Sequence, residues 1–506
     1  MKVSDLFRFK NAEIKALHLT WIAFFMSFYV WFNMAPLASS MLATVDWLTR
    51  DDIRLFAIAN VALTIPARIL VGMALDRYGP RRVFAVLMVT MAIPALFFAF
   101  GTTKMQLMVS RLVLSSIGAS FVVGIHMTAL WFKPKDIGFA EGFYAGWGNF
   151  GSAAAAMTLP TIALTMFGGE DGWRWAIGTS AVVMAAYGVY YWFAITDGPR
   201  YDSHLKPRKA AALEVSTWGD MIKLILWTIP MLGILCLLVW RVQNMGYLGP
   251  TGAAICYLAI ALGVLYQIVQ ILRVNVPILK QGVPEDDKYN FNNVAALNST
   301  YFANFGAELA VVSMLPMFFE MTWGLTATTA GIIAASFAFV NLVARPMGGA
   351  VSDRMGNRRF VMLCYMFGIG VGFILMGLLD SSWPLAVAIA ITIGCSVFVQ
   401  GAEGATFGII PSIKRRLTGQ ISGMSGAYGN VGAVFYLTVF TFTTPTQFFY
   451  IIATGAFISW IICLLWLEEP ESAFGETYYE SSVDRAINID AIKAQEAIDR
   501  AKGRLS

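Results

Sequence analysis

Runs of about 20 apolar residues recur along this 506-residue chain, and they fall into two sets of six in the same order. A run of that length crosses about 30 Å of hydrocarbon, where no water is present to satisfy backbone N–H and C=O groups, so each run must close its own hydrogen bonds as a helix. The chain therefore reads as an all-α membrane protein. The first set lies near 17–42, 53–75, 83–101, 106–132, 139–166 and 174–196, and the second near 294–320, 327–351, 360–380, 383–411, 419–442 and 446–467. With 58% hydrophobic and 13% charged residues, a soluble globular fold is excluded. The segment before the first run is polar, and that run is too long for a cleaved leader.

Two further apolar stretches, near 221–242 and 251–272, stand between the sets. Two six-helix repeats in parallel orientation need an even number of crossings between them, or none, so the extra pair reads as an inserted membrane hairpin, with a place at the interface or as re-entrant elements the alternative. The expected domains are 1–16, an N-terminal cytoplasmic segment; 17–200, the first bundle; 201–292, a linker with the hairpin; 293–467, the second bundle; and 468–506, a cytoplasmic tail. Charge sets the orientation. Of 36 Lys and Arg, only Arg50, Arg54, Lys104, Arg174 and Arg241 fall in outer segments if the N-terminus is cytoplasmic. Arg68, Arg111 and Arg345 remain for the membrane interior.

Arg68 and Arg345 are the residues that point to chemistry. A charge at bilayer depth is costly and is seldom kept without a role. Each stands four residues before a copy of one loop motif: Gly72, Asp76, Arg77, Gly79, Arg81 and Arg82 recur as Gly349, Asp353, Arg354, Gly356, Arg358 and Arg359, all displaced by 277. Arg68 is eight residues, or about 12 Å of helix, from Asp76, which places it near the bilayer midplane. Guanidinium is planar and permanently charged, so two of them grip a flat monovalent oxyanion in a bidentate manner that lysine cannot reproduce.

The second repeated motif runs Gly138, Gly142, Gly148, Asn149, Gly151 and recurs as Gly419, Gly423, Gly429, Asn430, Gly432, displaced by 281. Small residues at helical spacing allow close helix packing, which explains the glycines. The asparagines need another reason. A buried carboxamide requires partners, and one from each half beside the same glycines suits a narrow polar passage.

With its two Asp-Arg loops the chain resembles the major facilitator superfamily, in which such loops act as conformational latches. That implies gating by Asp76, Arg77, Asp353 and Arg354, and a staple role for the same residues is equally compatible. The stretches 145–152 and 425–432 are similar to the paired nitrate signatures of the nitrate/nitrite porter family, over roughly residues 15–467 without the hairpin. The resemblance implies that Arg68 and Arg345 bind nitrate between the halves. Gly148, Gly429, Asn149 and Asn430 would shape the passage, and Phe121, Tyr301, Phe305 and Phe407 would close it; core packing is the alternative for each aromatic. Glu308 and Glu403 stand at helical spacing from Phe305 and Phe407. Their surroundings resemble the proton-coupled branch of the family, so they are proton-coupling candidates, with a fixed counter-charge for arginine as the other reading.

The expected function is import of nitrate, with nitrite as a second substrate and protons as coupling ion, by a monomer in the plasma (inner) membrane. A nitrate/nitrite antiporter, a carrier of another small anion and, remotely, a non-transporting anion sensor are the alternatives. Cys236, Cys256, Cys364, Cys395 and Cys463 lack metal-ligand spacing and read as packing residues. His18, His126 and His204 are scattered. No metal, cofactor, nucleic-acid partner or enzyme active centre is expected. Arg111, near the outer part of its span and in reach of the interface, Glu141 and His126 are assigned no role.

Overall fold

The computed structural model describes residues 3–132, 134–198, 212–469 and 480–487. Fourteen long helices follow one another among them: α1 (Ala12–Thr44), α2 (Arg50–Gly72), α3 (Pro80–Ala99), α4 (Lys104–Thr128), α5 (Phe139–Phe167), α6 (Gly172–Ala194), α7 (Trp218–Asn244), α8 (Pro250–Gln281), α9 (Glu285–Trp323), α10 (Ala327–Ser352), α11 (Arg358–Gly377), α12 (Leu385–Ile410), α13 (Thr418–Phe440) and α14 (Pro445–Trp466). All but α13 are apolar enough by composition to cross a membrane. The glycines, serines and Asn430 of α13 lower its hydropathy, and the helix compensates by burying residues along almost its whole length. An interior helix need not be apolar towards lipid.

Several of the helices are interrupted. Helix α2 opens at Leu63, where Pro66 has no N–H to offer the carbonyl of Ala62, and α10 opens at Val340, the same place displaced by 277. Helix α9 opens at Asn304, whose side chain accepts from the N–H of Phe305 at 2.5 Å. Each break lies within a few residues of a candidate site residue: Arg68, Arg345, and Tyr301 with Phe305. Backbone freed from the helical ladder at membrane depth is tolerated only where protein or a polar cavity surrounds it.

Each half packs within itself, α1 on α5 and α3 on α6 in the first, α11 on α14 and α10 on α12 in the second. The halves meet along two seams, α5 against α10 and α2 against α13. Glycines make the first seam close: a Cβ at Gly146 would stand 2.5 Å from the carbonyl oxygen of Asn341, and one at Gly331 2.5 Å from that of Ala156.

The inserted pair α7 and α8 lies against the second seam. At the 244–250 turn Tyr247 donates to Asp52 of α2 at 2.6 Å, and Arg241 sits 5.0 Å over the ring of Phe442 beyond α13. At its other end the pair holds the second half, through Lys223 to Asn292 at 2.8 Å.

Where the chain leaves the bundle, residues 480–487 fold back onto it. Ser481 and Asp484 cap each other's backbone across a single helical turn. Asp484 accepts from Arg416 at 2.6 Å, and Asp287 accepts from Lys414 at 2.5 Å, from Ser481 at 2.6 Å and from Arg416 at 3.2 Å. Glu214 completes the cluster at 3.0 Å from Arg416. Burial works against the Arg416 charge, and its bonds to Asp287, Glu214 and Asp484 more than reverse this, so its proton is held more firmly than usual. Arg416→Met leaves three carboxylates with too little compensation and costs about 3–5 kcal/mol. Hydrogen exchange checks it: residues 480–487 lose protection in the variant, and unchanged protection contradicts the assignment.

Two sequence expectations are corrected. Arg111 does not reach the interface: it is fully buried, 2.6 Å from Asn33 and 3.9 Å over the ring of Phe98, and it also bonds the carbonyl of Trp31 at the end of the first helical stretch of α1. A cation there complements the helix terminus. Cys364 is exposed on the helix surface rather than packed. Of the tail expected at 468–506, residues 470–479 and 488–506 lie outside the described residues.

Candidate functional site

The site forms where the two arginines face each other across the halves. Arg68 is carried by the segment of α2 that follows the Leu63 break, and Arg345 by the corresponding segment of α10. Both are almost fully buried, at 3% and 1% exposure. They share the same two aromatic faces: the Arg68 guanidinium stands 5.5 Å from the Phe121 ring and 6.0 Å from Phe305, and that of Arg345 5.8 Å from each. Two cations held over common rings define a narrow slot between them.

The arginines differ in what holds them. Arg345 donates to the Tyr301 hydroxyl at 2.7 Å and forms an ion pair with Glu403 at 2.6 Å. Arg68 has no hydrogen-bond partner for Nε, Nη1 or Nη2 among the described residues. A buried guanidinium offers five N–H donors and is costly when none is used. Its position is set by space instead, since a Cβ on Gly426 of α13 would lie 2.4 Å from its Nη1.

The four aromatics expected at the site all come together there. Phe407 stands 5.2 Å from Phe121 and 5.2 Å from Tyr301, and Tyr301 stacks on Phe305 at 4.9 Å. Gly148 and Gly429 give room for these and neighbouring rings: a Cβ at Gly429 would be 2.5 Å from Phe305, and one at Gly148 1.9 Å from Phe24, itself 5.8 Å from Phe121. Among the described residues, fully buried Asn149 has no partner for either amide atom, while Asn430 donates to the carbonyl of Gly426 at 3.2 Å and keeps a free Oδ1. Asn149 thus retains unused donors within the bundle; Asn430 spends one of its donors fixing the backbone beside Arg68.

Both intramembrane glutamates lie in the second half. Glu403 pairs with Arg345, and that pair lies inside the site because Phe407 is one helical turn away on α12. Glu308 accepts from Asn341 at 2.6 Å, and its carboxyl lies near that of Glu403. The gating residues contribute less: the side chains of Asp76, Arg77 and Asp353 fall outside the described residues, and Arg354 is exposed at the end of α10.

Three residues not singled out from the sequence belong here. Tyr144 donates to the carbonyls of Ser120 and Phe121 at 3.1 and 3.3 Å and so fixes the turn that presents Phe121. Asn341 joins Glu308 as described. Gln400 is fully buried with both amide atoms unpartnered, one turn before Glu403. Helical spacing was the available signal, since Asn341 is four residues before Arg345 and Gln400 three before Glu403.

Known proteins resemble this chain over most of its length. Residues 20–277 and 297–480 match the model of the Major Facilitator Superfamily. The chain is 42% identical over 507 residues to the nitrate/nitrite transporter NrtP of Picosynechococcus sp., covering 92% of this chain and 95% of that one. It is 40% identical over 501 residues to the protein of the same name from Nostoc punctiforme, covering 98% and 100%. It is 28% identical over 481 residues to the high affinity nitrate transporter 2.5 of Arabidopsis thaliana, covering 92% and 82%. Among solved structures, the partially occluded inward open xylose transporter XylE from E. coli superposes with a TM-score of 0.61 at 12% identity, over 92% of this chain and 99% of that one. At that identity the likeness speaks for the fold.

Proposed function

This chain belongs to the nitrate/nitrite porter family of the major facilitator superfamily, and we propose that it imports its anion by alternating access around the Arg68–Arg345 slot. It is an integral membrane protein that transports nitrate and nitrite. The observation that carries the site assignment is that two buried guanidiniums from opposite halves share the rings of Phe121 and Phe305 while one has every donor unused among the described residues. Arg68 supplies the open hydrogen-bonding capacity, Arg345 the second charge, Tyr301 and Phe407 the wall, and Asn149 a further pair of polar atoms. An anion bound there relieves the repulsion of two cations in a medium of low dielectric, so occupancy favours approach of the halves.

The coupling ion is the proton. Moving one negative charge inward against an inside-negative potential costs about 2.3 kcal/mol per 100 mV, so accumulation needs more than one positive companion or an exchanged anion. Glu308 and Glu403 stand next to Arg345 and supply the proton sites. The bundles are 17–200 and 293–467, with the 201–292 hairpin between them. Both termini face the cytoplasm at the plasma membrane, an orientation that the excess of Lys and Arg in inner segments supports.

Purified protein in liposomes tests this reading. Nitrate added outside produces an inward current carrying net positive charge, which grows as the external pH falls, and protons enter with nitrate. Nitrate entry that is matched by anion exit and indifferent to a pH gradient would make the protein an exchanger.

A further inference from the structure

The second half carries a group of buried polar atoms that anion binding leaves unused. Besides the Arg345–Glu403 pair it holds Asn341 Oδ1, Glu308 Oε2, Glu403 Oε1 and both amide atoms of Gln400, each buried and without a hydrogen-bond partner among the described residues. Native interiors leave few such atoms, and a group of them needs an explanation. The matched position in the first half is occupied by Thr64, whose hydroxyl is spent on the backbone carbonyl of Ser115. The arrangement is therefore not a product of the repeat.

Asn341 occupies the junction of this group. It is fully buried at the α10 break, one turn before Arg345. Its Nδ2 donates to Glu308 Oε1 at 2.6 Å, and its carbonyl oxygen lies against Gly146 in the signature helix of the opposite half. One residue thus touches a proton-site carboxyl by its side chain and the moving seam by its backbone. The charged and titratable groups near Glu308 are Tyr301 on α9, Arg345 on α10 and Glu403 on α12.

We propose that Asn341 is a positioning residue of the coupling step: by occupying Glu308 Oε1 as a donor, it reserves Oε2 for the transported proton and holds it beside the Glu403–Arg345 pair. This rests on the proton-coupled reading given above. The N–H already donated to Oε1 makes that oxygen the less basic of the two, so a proton arriving from external water adds to Oε2. The resulting O–H donates to Glu403, whose negative charge is then shared between that proton and Arg345. The Arg345–Glu403 contact slackens, and nitrate takes the freed guanidinium edge. After the halves have moved, the same proton leaves Oε2 for internal water and Glu403 recovers Arg345. This step accounts for one of the protons that enter with each nitrate.

The test compares Asn341→Leu, which keeps the branched shape and removes the donor, with Glu308→Gln and the double variant, all in liposomes. Asn341→Leu is expected to lower accumulation driven by a pH gradient by about 10- to 100-fold, as when a reacting group is displaced by an ångström, and by more than it lowers nitrate counterflow. Glu308→Gln shows the same split, and Asn341→Leu adds nothing to it. If Leu at this position blocks membrane insertion, Asn341→Thr, the residue of the matched position 64, is too short to reach Glu308 and carries the same expectation. Asn341→Leu or Asn341→Thr with wild-type accumulation, alongside a defective Glu308→Gln, overturns the role of Asn341 and leaves proton coupling standing. A Glu308→Gln protein that still accumulates nitrate in step with the pH gradient overturns the coupling reading itself.

Discussion

Arg68→Lys abolishes nitrate uptake while the protein remains in the membrane at normal abundance, and Arg345→Lys does the same. Both substitutions keep the charge, so a purely electrostatic role would survive them. What they remove is the planar fork. Arg68 presents Nε, Nη1 and Nη2, all unpartnered among the described residues, over the rings of Phe121 and Phe305, whereas an ammonium on a flexible stem offers a single charged point. A hydrogen bond from a charged donor contributes about 1.5–3 kcal/mol, so loss of one bidentate contact weakens nitrate by about 10- to 100-fold at least. Lysine is also more strongly hydrated, and at 3% exposure its desolvation has no compensation. For Arg345 the substitution further loses the bond to Tyr301 and disturbs the pair with Glu403. Uptake of radiolabelled nitrate, normalised to surface protein, reads both variants; near-normal uptake in either one rejects its part in binding.

The second large effect is qualitative. Glu403→Gln is expected to end net accumulation of nitrate while counterflow of nitrate for nitrate persists. The variant preserves size and leaves Arg345 without its 2.6 Å counter-charge, so the empty slot holds two uncompensated cations at almost no exposure. Such a site favours the anion in either orientation of the carrier and resists standing empty. Exchange requires only the loaded return, and net transport requires the empty one. The expected loss is about tenfold or more in accumulation with counterflow within about twofold, which corresponds to a change of about 1.4 kcal/mol or more in the empty carrier alone. Loss of both modes together would mean that Glu403 is needed to build the site rather than to reset it.

Much of this was legible in the sequence because the repeat states the same thing twice. The helices, their order and the arginines followed from apolar length and a fixed displacement of 277, and the aromatics followed from motif context beside them. The α10 break at Val340 could have been suspected from its counterpart at Leu63, where Pro66 gives a local cause. What stayed hidden were contacts between segments far apart in the chain. The pairing of Glu403 with Arg345 rather than Arg68 depends on how α12 lies against α10, and the bond from Asn341 to Glu308 on how α10 meets α9. Neither is fixed by spacing within one helix. The docking of 480–487 on Asp287 and Arg416 was hidden for the same reason, since a charged tail reads locally as a solvated one. Arg111 misled in the opposite direction: near a helix end it suggested escape to the interface, and it is instead enclosed by Asn33, Trp31 and Phe98.

Equilibrium binding of nitrate to purified protein, measured by calorimetry for wild type, Arg68→Lys, Arg345→Lys and the double variant, tests the shared slot most directly. A single anion held by both guanidiniums predicts that each single change weakens binding by about 10- to 100-fold and that the double change costs clearly less than the sum of the two, because the first loss already breaks the grip. Unaltered affinity in either single variant, or strictly additive losses in the double, would show that the two arginines do not hold the same ion.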